Sequence, residues 1–111
     1  MMNLHIEDYK QNQTTVIKLS GEIDAYTAPE LKDKLLGYLN EEGAEVHVDL
    51  EKVNYMDSTG LGVFISGLKT ANEVNSSFKL INLQENVYRL FNITGLNDVM
   101  NIENTVRGDI K

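Results

Sequence analysis

The sequence predicts an α/β fold with a four- to five-stranded mixed sheet and helices packed mainly on one face. Segments in which apolar and polar residues alternate, as in strands, are interspersed with segments whose apolar residues recur at helical spacing. Their order, β-β-α-β-α-β-α, favours parallel neighbours joined by right-handed crossovers. The other strand positions are polar, so only one sheet face is expected to be covered. These outward positions are Glu7, Lys18, His47 and Asp49.

The length and composition are those of a single globular domain. The chain has 111 residues, of which 41% are hydrophobic and 24% are charged. A chain of this size buries roughly two-thirds of its unfolded surface. We therefore expect one domain over residues 1–111. The absence of cysteine excludes disulfides, thiolate catalysis and cysteine-bound zinc, and it suits a cytoplasmic location.

The charge and the hydrophobic runs restrict the classes of partner. Nucleic-acid phosphates require a basic surface, so the net charge of −7 argues against nucleic acid and favours a protein partner with a basic docking surface. No apolar run approaches the ~20 residues that cross a bilayer. The N-terminus also lacks a signal-peptide pattern, so no membrane partner is expected.

The first two strands are predicted to form a hairpin. Leu4 and Ile6 mark the first strand, the run around Ile17 and Leu19 marks the second, and residues 10–14 form a polar turn.

A capping box predicts the start of the first helix. Thr27 and Glu30 have the required spacing, and Pro29 lies in the first turn, where its missing N–H does no harm. Gly43 is expected to end the helix, because glycine tolerates a positive φ. The predicted inner face consists of Ala28, Leu31, Leu35 and Leu39.

The second half of the chain continues the same alternation. A strand is predicted from about Val46 to Leu50, and a helix follows the junction after it and ends near Val74. A helix over 85–93 is expected to end at Thr94 and Gly95. The fourth strand is marked by Phe78, Leu80 and Leu83, and the inner face of the third helix by Val87, Leu90 and Phe91. Val99, Met100 and Ile102 predict either a short strand or a short helix.

The junction between the third strand and the second helix is the candidate functional site. Asp57, Ser58 and Thr59 fall at the helix N-terminus, where unpaired backbone N–H groups favour negative charge. A phosphate on Ser58 would meet these donors, although Asp and Ser are also ordinary N-caps. Gly60 and Gly62 each make the helix less stable than alanine would, by about 1 kcal/mol. A helix cap alone does not require glycine at these positions. Their small size is expected to let another molecule approach the hydroxyls.

Two further carboxylates are expected near this junction. Glu22 and Asp24 follow the second strand, and Asp24 precedes the first helix as Asp57 precedes the second. The carboxyl ends of parallel strands share one edge, beyond which ligands bind. Asp24 is interpreted either as part of an interaction surface or as an ordinary turn residue.

Catalytic chemistry has little support. The candidate histidine partners of Ser58, His5 and His47, lie on strands opposite the apolar positions. The first glycine of a Gly-x-Ser-x-Gly elbow is also missing. No metal-ligand spacing or phosphate-binding glycine loop occurs, so no metal and no cofactor are expected.

Residues 21–29 (GEIDAYTAP), 55–64 (YMDSTGLGVF) and 89–96 (RLFNITGL) resemble the anti-sigma factor antagonists, which are single STAS domains. Those of the bacterial sigma-B general-stress pathway are the most similar. The resemblance covers nearly the whole chain, and only residues 103–111 carry little of it. It implies a single STAS domain over residues 1–111.

The resemblance also implies a partner-switching mechanism. The unphosphorylated antagonist binds an anti-sigma factor, itself a serine kinase, and so releases the sigma factor. The kinase phosphorylates Ser58, with Thr59 a minor alternative, and a metal-dependent serine phosphatase reverses the reaction. ATP and Mg²⁺ would belong to the kinase. The expected partner-binding residues are Glu22, Asp24, Asp57, Ser58, Thr59, Gly60 and Gly62. A STAS scaffold or ligand sensor, and a small hydrolase that uses Ser58, remain as alternatives.

Overall fold

The computed structural model describes residues 3–103, so most of the segment 103–111 lies outside it. The described chain forms five strands, three α-helices and one short 3-10 helix. In chain order they are β1 (Leu4–Gln11), β2 (Thr14–Ile23), α1 (Ala28–Leu39), β3 (Glu45–Met56), α2 (Ser58–Val74), β4 (Ser77–Ile81), α3 (Glu85–Thr94), the 3-10 helix (Leu96–Asp98) and β5 (Ile102–Glu103). The predicted α/β class and element order are confirmed.

The sheet is mixed, and its strands lie side by side in chain order. β1 is antiparallel to β2, and the pairs β2–β3, β3–β4 and β4–β5 are parallel. The predicted hairpin is confirmed, with a tighter connection than expected. Its loop lies between Gln11 and Thr14, and Asn12 adopts a φ of 59°, a left-handed conformation that asparagine tolerates well.

The core lies between one face of the sheet and the helices. The predicted inner face of α1 is buried throughout, and Phe64 of α2 meets Phe91 of α3 with ring centroids 6.1 Å apart. On the outer face, Lys18 lies in register with Glu7 and Asp49. The polar positions predicted for that face are exposed or half-buried. No helix within residues 3–103 is both long and apolar enough to cross a bilayer.

Of two predicted helix ends, the structure corrects that of α1 and confirms that of α3. α1 ends at Leu39 rather than at Gly43, because the next inward positions are polar or lack a side chain and bury nothing. Gly43 instead lies in the following loop at φ +83°. α3 ends as predicted, with Gly95 in the left-handed conformation as its C-cap.

Two strands also differ in length from the prediction. β3 continues past Leu50 to Met56, because Val53 and Met56 are buried beside β2. Irregularities in the β2–β3 pairing interrupt the simple alternation there. β4 ends at Ile81, since Asn82 turns the chain at φ +62° and Leu83 is buried outside the strand. In the last predicted segment only the strand forms, as β5 at Ile102–Glu103, whereas the 3-10 helix Leu96–Asp98 ends before Val99.

Candidate functional site

The ends of β2 and β3 bring two strand-to-helix connections together. Glu22 lies in register with Tyr55 and Ile23 with Met56. Just beyond this pairing, the Asp57 N–H donates to the carbonyl oxygen of Ile23 at 3.2 Å. The loop that leads to α1 and the junction that leads to α2 therefore share one edge, as the sequence predicted.

Asp57 is the N-cap of α2. Its backbone is extended, with φ −111° and ψ −168°, and its Oδ1 accepts from the Thr59 N–H at 2.9 Å. The same oxygen accepts a hydrogen bond from the Thr59 hydroxyl. The Asp57 carbonyl accepts from the Gly60 N–H at 3.0 Å. The Asp57 carboxylate is therefore hydrogen-bonded to the first turn of the helix, where negative charge is favoured.

Ser58 and Thr59 carry adjacent hydroxyls in different environments. Ser58 is the first residue of α2 and is exposed. Throughout residues 3–103, no hydrogen bond involves its hydroxyl, whereas that of Thr59 is held by Asp57. Of the two hydroxyls, that of Ser58 is the one available to another molecule.

Gly60 and Gly62, near the start of α2, lie in different surroundings, so glycine has a different structural role at each position. Gly60 is buried, and a Cβ added there would lie 2.3 Å from Met56 Cγ and 2.9 Å from Ile23 Cγ2. The packing of the domain itself therefore requires glycine at position 60. Gly62 is exposed, and a Cβ added there would meet nothing within 4 Å. The expectation that small size opens the surface to another molecule fits Gly62 but not Gly60.

Asp24 organises the connection before α1. Its Oδ1 accepts from the N–H groups of Tyr26 at 2.9 Å and Thr27 at 3.1 Å, and its carbonyl accepts from the Ala28 N–H at 2.8 Å. The residue is only 6% exposed. Asp24 therefore contributes to the candidate interaction surface indirectly, because its hydrogen bonds fix the conformation of this loop.

The predicted capping box is wrong, because the Thr27 hydroxyl is used elsewhere. It accepts from the Asp24 N–H at 2.9 Å and donates to the Glu22 carbonyl at 2.9 Å. Thr27 also has helical backbone angles, φ −95° and ψ −21°, and makes no side-chain cap bond. A capping box requires an extended backbone at that position.

Two carboxylate oxygens at this edge are buried without a hydrogen-bond partner in the described part of the chain. They are Glu22 Oε1 and Asp24 Oδ2. Together with Asp57 they concentrate negative charge where β2 and β3 end. Such an edge suits a basic partner surface.

The histidines do not form a catalytic arrangement with Ser58. His5 Nε2 lies 3.4 Å from Glu7 Oε2, and His47 Nε2 lies 3.7 Å from Glu45 Oε2. Within residues 3–103, neither ring makes a hydrogen bond with Ser58. A nucleophilic serine needs such a base within hydrogen-bond distance, so the hydrolase alternative lacks its geometry.

Two features of this surface were not predicted. Tyr26, in the loop shaped by Asp24, is 88% exposed, and tyrosine is one of the residue types enriched among the residues that contribute most to binding at protein interfaces. A groove of about 560 Å³ also separates the N-terminal parts of α1 and α2. Its lining includes Ala28, Pro29, Lys32, Thr59, Gly62 and Ser66. An aromatic residue in a polar loop is a weak signal, and a groove depends on helix placement that spacing does not reveal.

The mixed five-stranded sheet with its three α-helices is the fold of a STAS domain, and the family model described as "STAS domain" matches residues 5–108. The chain is 44% identical to the anti-sigma-B factor antagonist of Bacillus subtilis, over 99% of this chain and 100% of that protein. It is 45% identical to the antagonist of Listeria monocytogenes, over 98% and 96%. An anti-sigma factor antagonist structure from Mycobacterium paratuberculosis shares the fold, with a TM-score of 0.81 at 21% identity over 91% and 86%. The chain belongs to the STAS domain family, in its group of anti-sigma-B factor antagonists.

Proposed function

We propose that this protein is an anti-sigma factor antagonist that acts by partner switching in the cytoplasm. Unphosphorylated, it binds an anti-sigma factor that is also a serine kinase, and the sigma factor is released. Phosphorylation of Ser58 ends this interaction, and a metal-dependent serine phosphatase restores it. The protein is thus a regulator and a kinase substrate rather than an enzyme. The observation that carries the proposal is the exposed, unbonded Ser58 hydroxyl at the N-terminus of α2.

The hydrogen bonds around Asp57 favour Ser58 over Thr59 as the phosphate acceptor. To accept a phosphoryl group, the Thr59 hydroxyl would have to give up its bond to Asp57 Oδ1. The incoming phosphate would then face that carboxylate directly. Ser58 has neither obstacle, so Thr59 remains a minor acceptor at most.

A phosphate on Ser58 is compatible with the fold. It adds about −1.5 to −2 charges at neutral pH. At the start of α2 this charge meets backbone N–H groups and the positive end of the helix dipole. The Ser58 side chain packs into no core cluster, since the residue is exposed. The effect of phosphorylation must therefore fall on the partner interface and not on the stability of the domain.

Electrostatic repulsion explains why one phosphate can end binding. The phosphate joins an edge that already carries Glu22, Asp24 and Asp57, so any carboxylate of the partner near Ser58 is repelled. Like-charge juxtaposition across an interface costs several kcal/mol, and ~2.7 kcal/mol already lowers affinity about a hundredfold. The proposed partner-binding residues are Glu22, Asp24, Asp57, Ser58, Thr59, Gly60 and Gly62. Among them the buried Asp24 and Gly60 hold the backbone in place rather than touch the partner.

A titration of variants against the purified anti-sigma kinase without ATP tests this function. We expect Ser58→Ala to bind like the unmodified protein, and Ser58→Asp to bind roughly a hundredfold more weakly. Ser77→Asp is the matched control, because Ser77 is exposed and pairs with Glu45 at the amino ends of β3 and β4, opposite Ser58. It adds the same charge and should leave the affinity unchanged. Equal affinities of Ser58→Ala and Ser58→Asp, with both variants folded by circular dichroism, would contradict the proposal.

A further inference from the structure

We propose that the groove between α1 and α2 receives an apolar side chain of the anti-sigma kinase, and that Lys32 pairs with a carboxylate beside that side chain. This inference rests on the proposed function, because it names the chemistry that the same partner must present. It extends the docking surface from the α2 N-terminus to a second contact region on α1.

The shape and lining of the groove suit an apolar insertion. The groove has a volume of about 560 Å³, and its lining includes Ala28 and Pro29 from α1 and Gly62 and Val63 from α2. These residues are small or apolar, and their lining surface is mostly carbon. An open cleft of this kind gains binding energy when a partner side chain removes its apolar surface from water.

Lys32 supplies the charge complementarity. It is the one charged side chain in the groove lining described for residues 3–103, and no carboxylate pairs with it there. Lys34, two residues further along α1, instead donates to Asp8 Oδ2 at 3.2 Å. An exposed and unpaired ammonium group in a chain of net charge −7 is complementary to an acidic residue of the partner.

The groove is continuous with the phosphoacceptor. Thr59 lines the groove and directly follows Ser58, so both features belong to the first turn of α2. A partner carboxylate held by Lys32 would lie on the same surface as a phosphate on Ser58. The partner carboxylate that Lys32 holds is therefore a negative group that a phosphate on Ser58 repels, which links docking to its regulation.

Gly62 allows the groove to be filled without disturbing the fold. A side chain at position 62 meets no atom within 4 Å of its Cβ, and leucine has a higher helix propensity than glycine. Gly37 of α1 is the matched control. It is also an exposed helical glycine with open space at its Cβ, but it lies outside the groove.

The test is the dissociation constant of the full-length chain and the purified anti-sigma kinase, measured for Gly62→Leu, Gly37→Leu, Lys32→Glu and Ser58→Asp. We expect Gly62→Leu and Lys32→Glu each to weaken binding roughly tenfold or more, and Gly37→Leu to bind like the unmodified protein. If Gly62→Leu and Lys32→Glu bind normally while Ser58→Asp does not, the groove proposal is overturned and the proposed function stands. If Ser58→Asp binds normally, the proposed function itself fails.

Sedimentation of the chain alone tests whether the groove is occupied by a second copy of the chain instead of the kinase. We expect Gly62→Leu to leave the oligomeric state unchanged. If the unmodified chain sediments as a dimer and this variant as a monomer, with normal kinase binding, the groove is a contact between two copies of the chain and the proposal is overturned.

Discussion

The backbone N–H of Asp57 donates a 3.2 Å hydrogen bond to the carbonyl oxygen of Ile23. This bond joins the two strand-to-helix connections just past the last paired residues of β2 and β3. It holds the loop shaped by Asp24 beside the α2 N-terminus and leaves Ser58 facing outward. The register of the sheet therefore builds the candidate docking surface.

The two glycines of α2 should respond oppositely to alanine. Gly60→Ala places a methyl group against Met56 and Ile23, so the free energy of unfolding should fall by about 1–3 kcal/mol. Gly62→Ala has open space, and the better helix propensity should raise the free energy of unfolding by up to about 1 kcal/mol. Urea denaturation of both variants measures this difference. Equal stabilities would show that Gly60 is not closely packed.

Removal of the α2 cap should destabilise the domain. Asp57→Ala leaves the Thr59 N–H without its acceptor, so the free energy of unfolding should fall by about 1 kcal/mol. Asp57→Asn keeps an acceptor oxygen at the same position and should lose much less. The comparison is again made by urea denaturation. If the Asn variant loses as much as the Ala variant, the charge of Asp57 rather than its hydrogen bonds stabilises this helix end.

The ion pair between Lys79 on β4 and Glu103 on β5 should make a pH-dependent contribution to the free energy of unfolding. Lys79 Nζ donates to Glu103 Oε1 at 2.9 Å, and this hydrogen bond together with the positive charge lowers the pKa of Glu103 below its ordinary value. A carboxyl group whose pKa is lowered by folding stabilises the folded state above its unfolded pKa. That contribution disappears as the pH falls through the folded pKa. Glu103→Gln should therefore melt at a lower temperature than the unmodified protein at neutral pH, and the gap should close in acid.

A control for the pH prediction is Glu85→Gln. Glu85 Oε2 lies 3.7 Å from Arg89, and its side chain is 89% exposed, so the loss of this pair should hardly move the melting temperature at any pH. Added salt should shrink the effect of Glu103→Gln because both partners are partly exposed. A gap between Glu103→Gln and the unmodified protein that stays constant from neutral to acid pH would contradict the ion-pair explanation.

Local patterns were sufficient to predict most of the fold. The buried face of α1, the hairpin and the left-handed Gly95 after α3 each depend on residues close in sequence, and all three are confirmed. The end of β3 depends on its pairing with β2, whose irregular register hides Val53 and Met56 from a simple alternation. The Thr27 capping box was wrong because a local spacing rule does not reveal competing hydrogen bonds with Glu22 and Asp24.

In the candidate site, too, the features that depend on local sequence could be predicted, and those that depend on long-range contacts could not. The cap at Asp57 and the position of Ser58 at the helix start follow from a short motif, so sequence predicts them directly. The packing reason for Gly60 involves Ile23, far away along the chain, and emerges only when β2 and β3 are paired. The groove beside Lys32 requires the relative placement of two helices. Long-range geometry of this kind is not encoded in residue spacing.

The most direct test of the account is to incubate the chain with its anti-sigma kinase and ATP and to locate the phosphate by mass spectrometry. We expect one phosphate on Ser58 and none on the Ser58→Ala variant incubated in parallel. Phosphate mainly on Thr59, or an unmodified Ser58 in a chain that the kinase demonstrably binds, would contradict it.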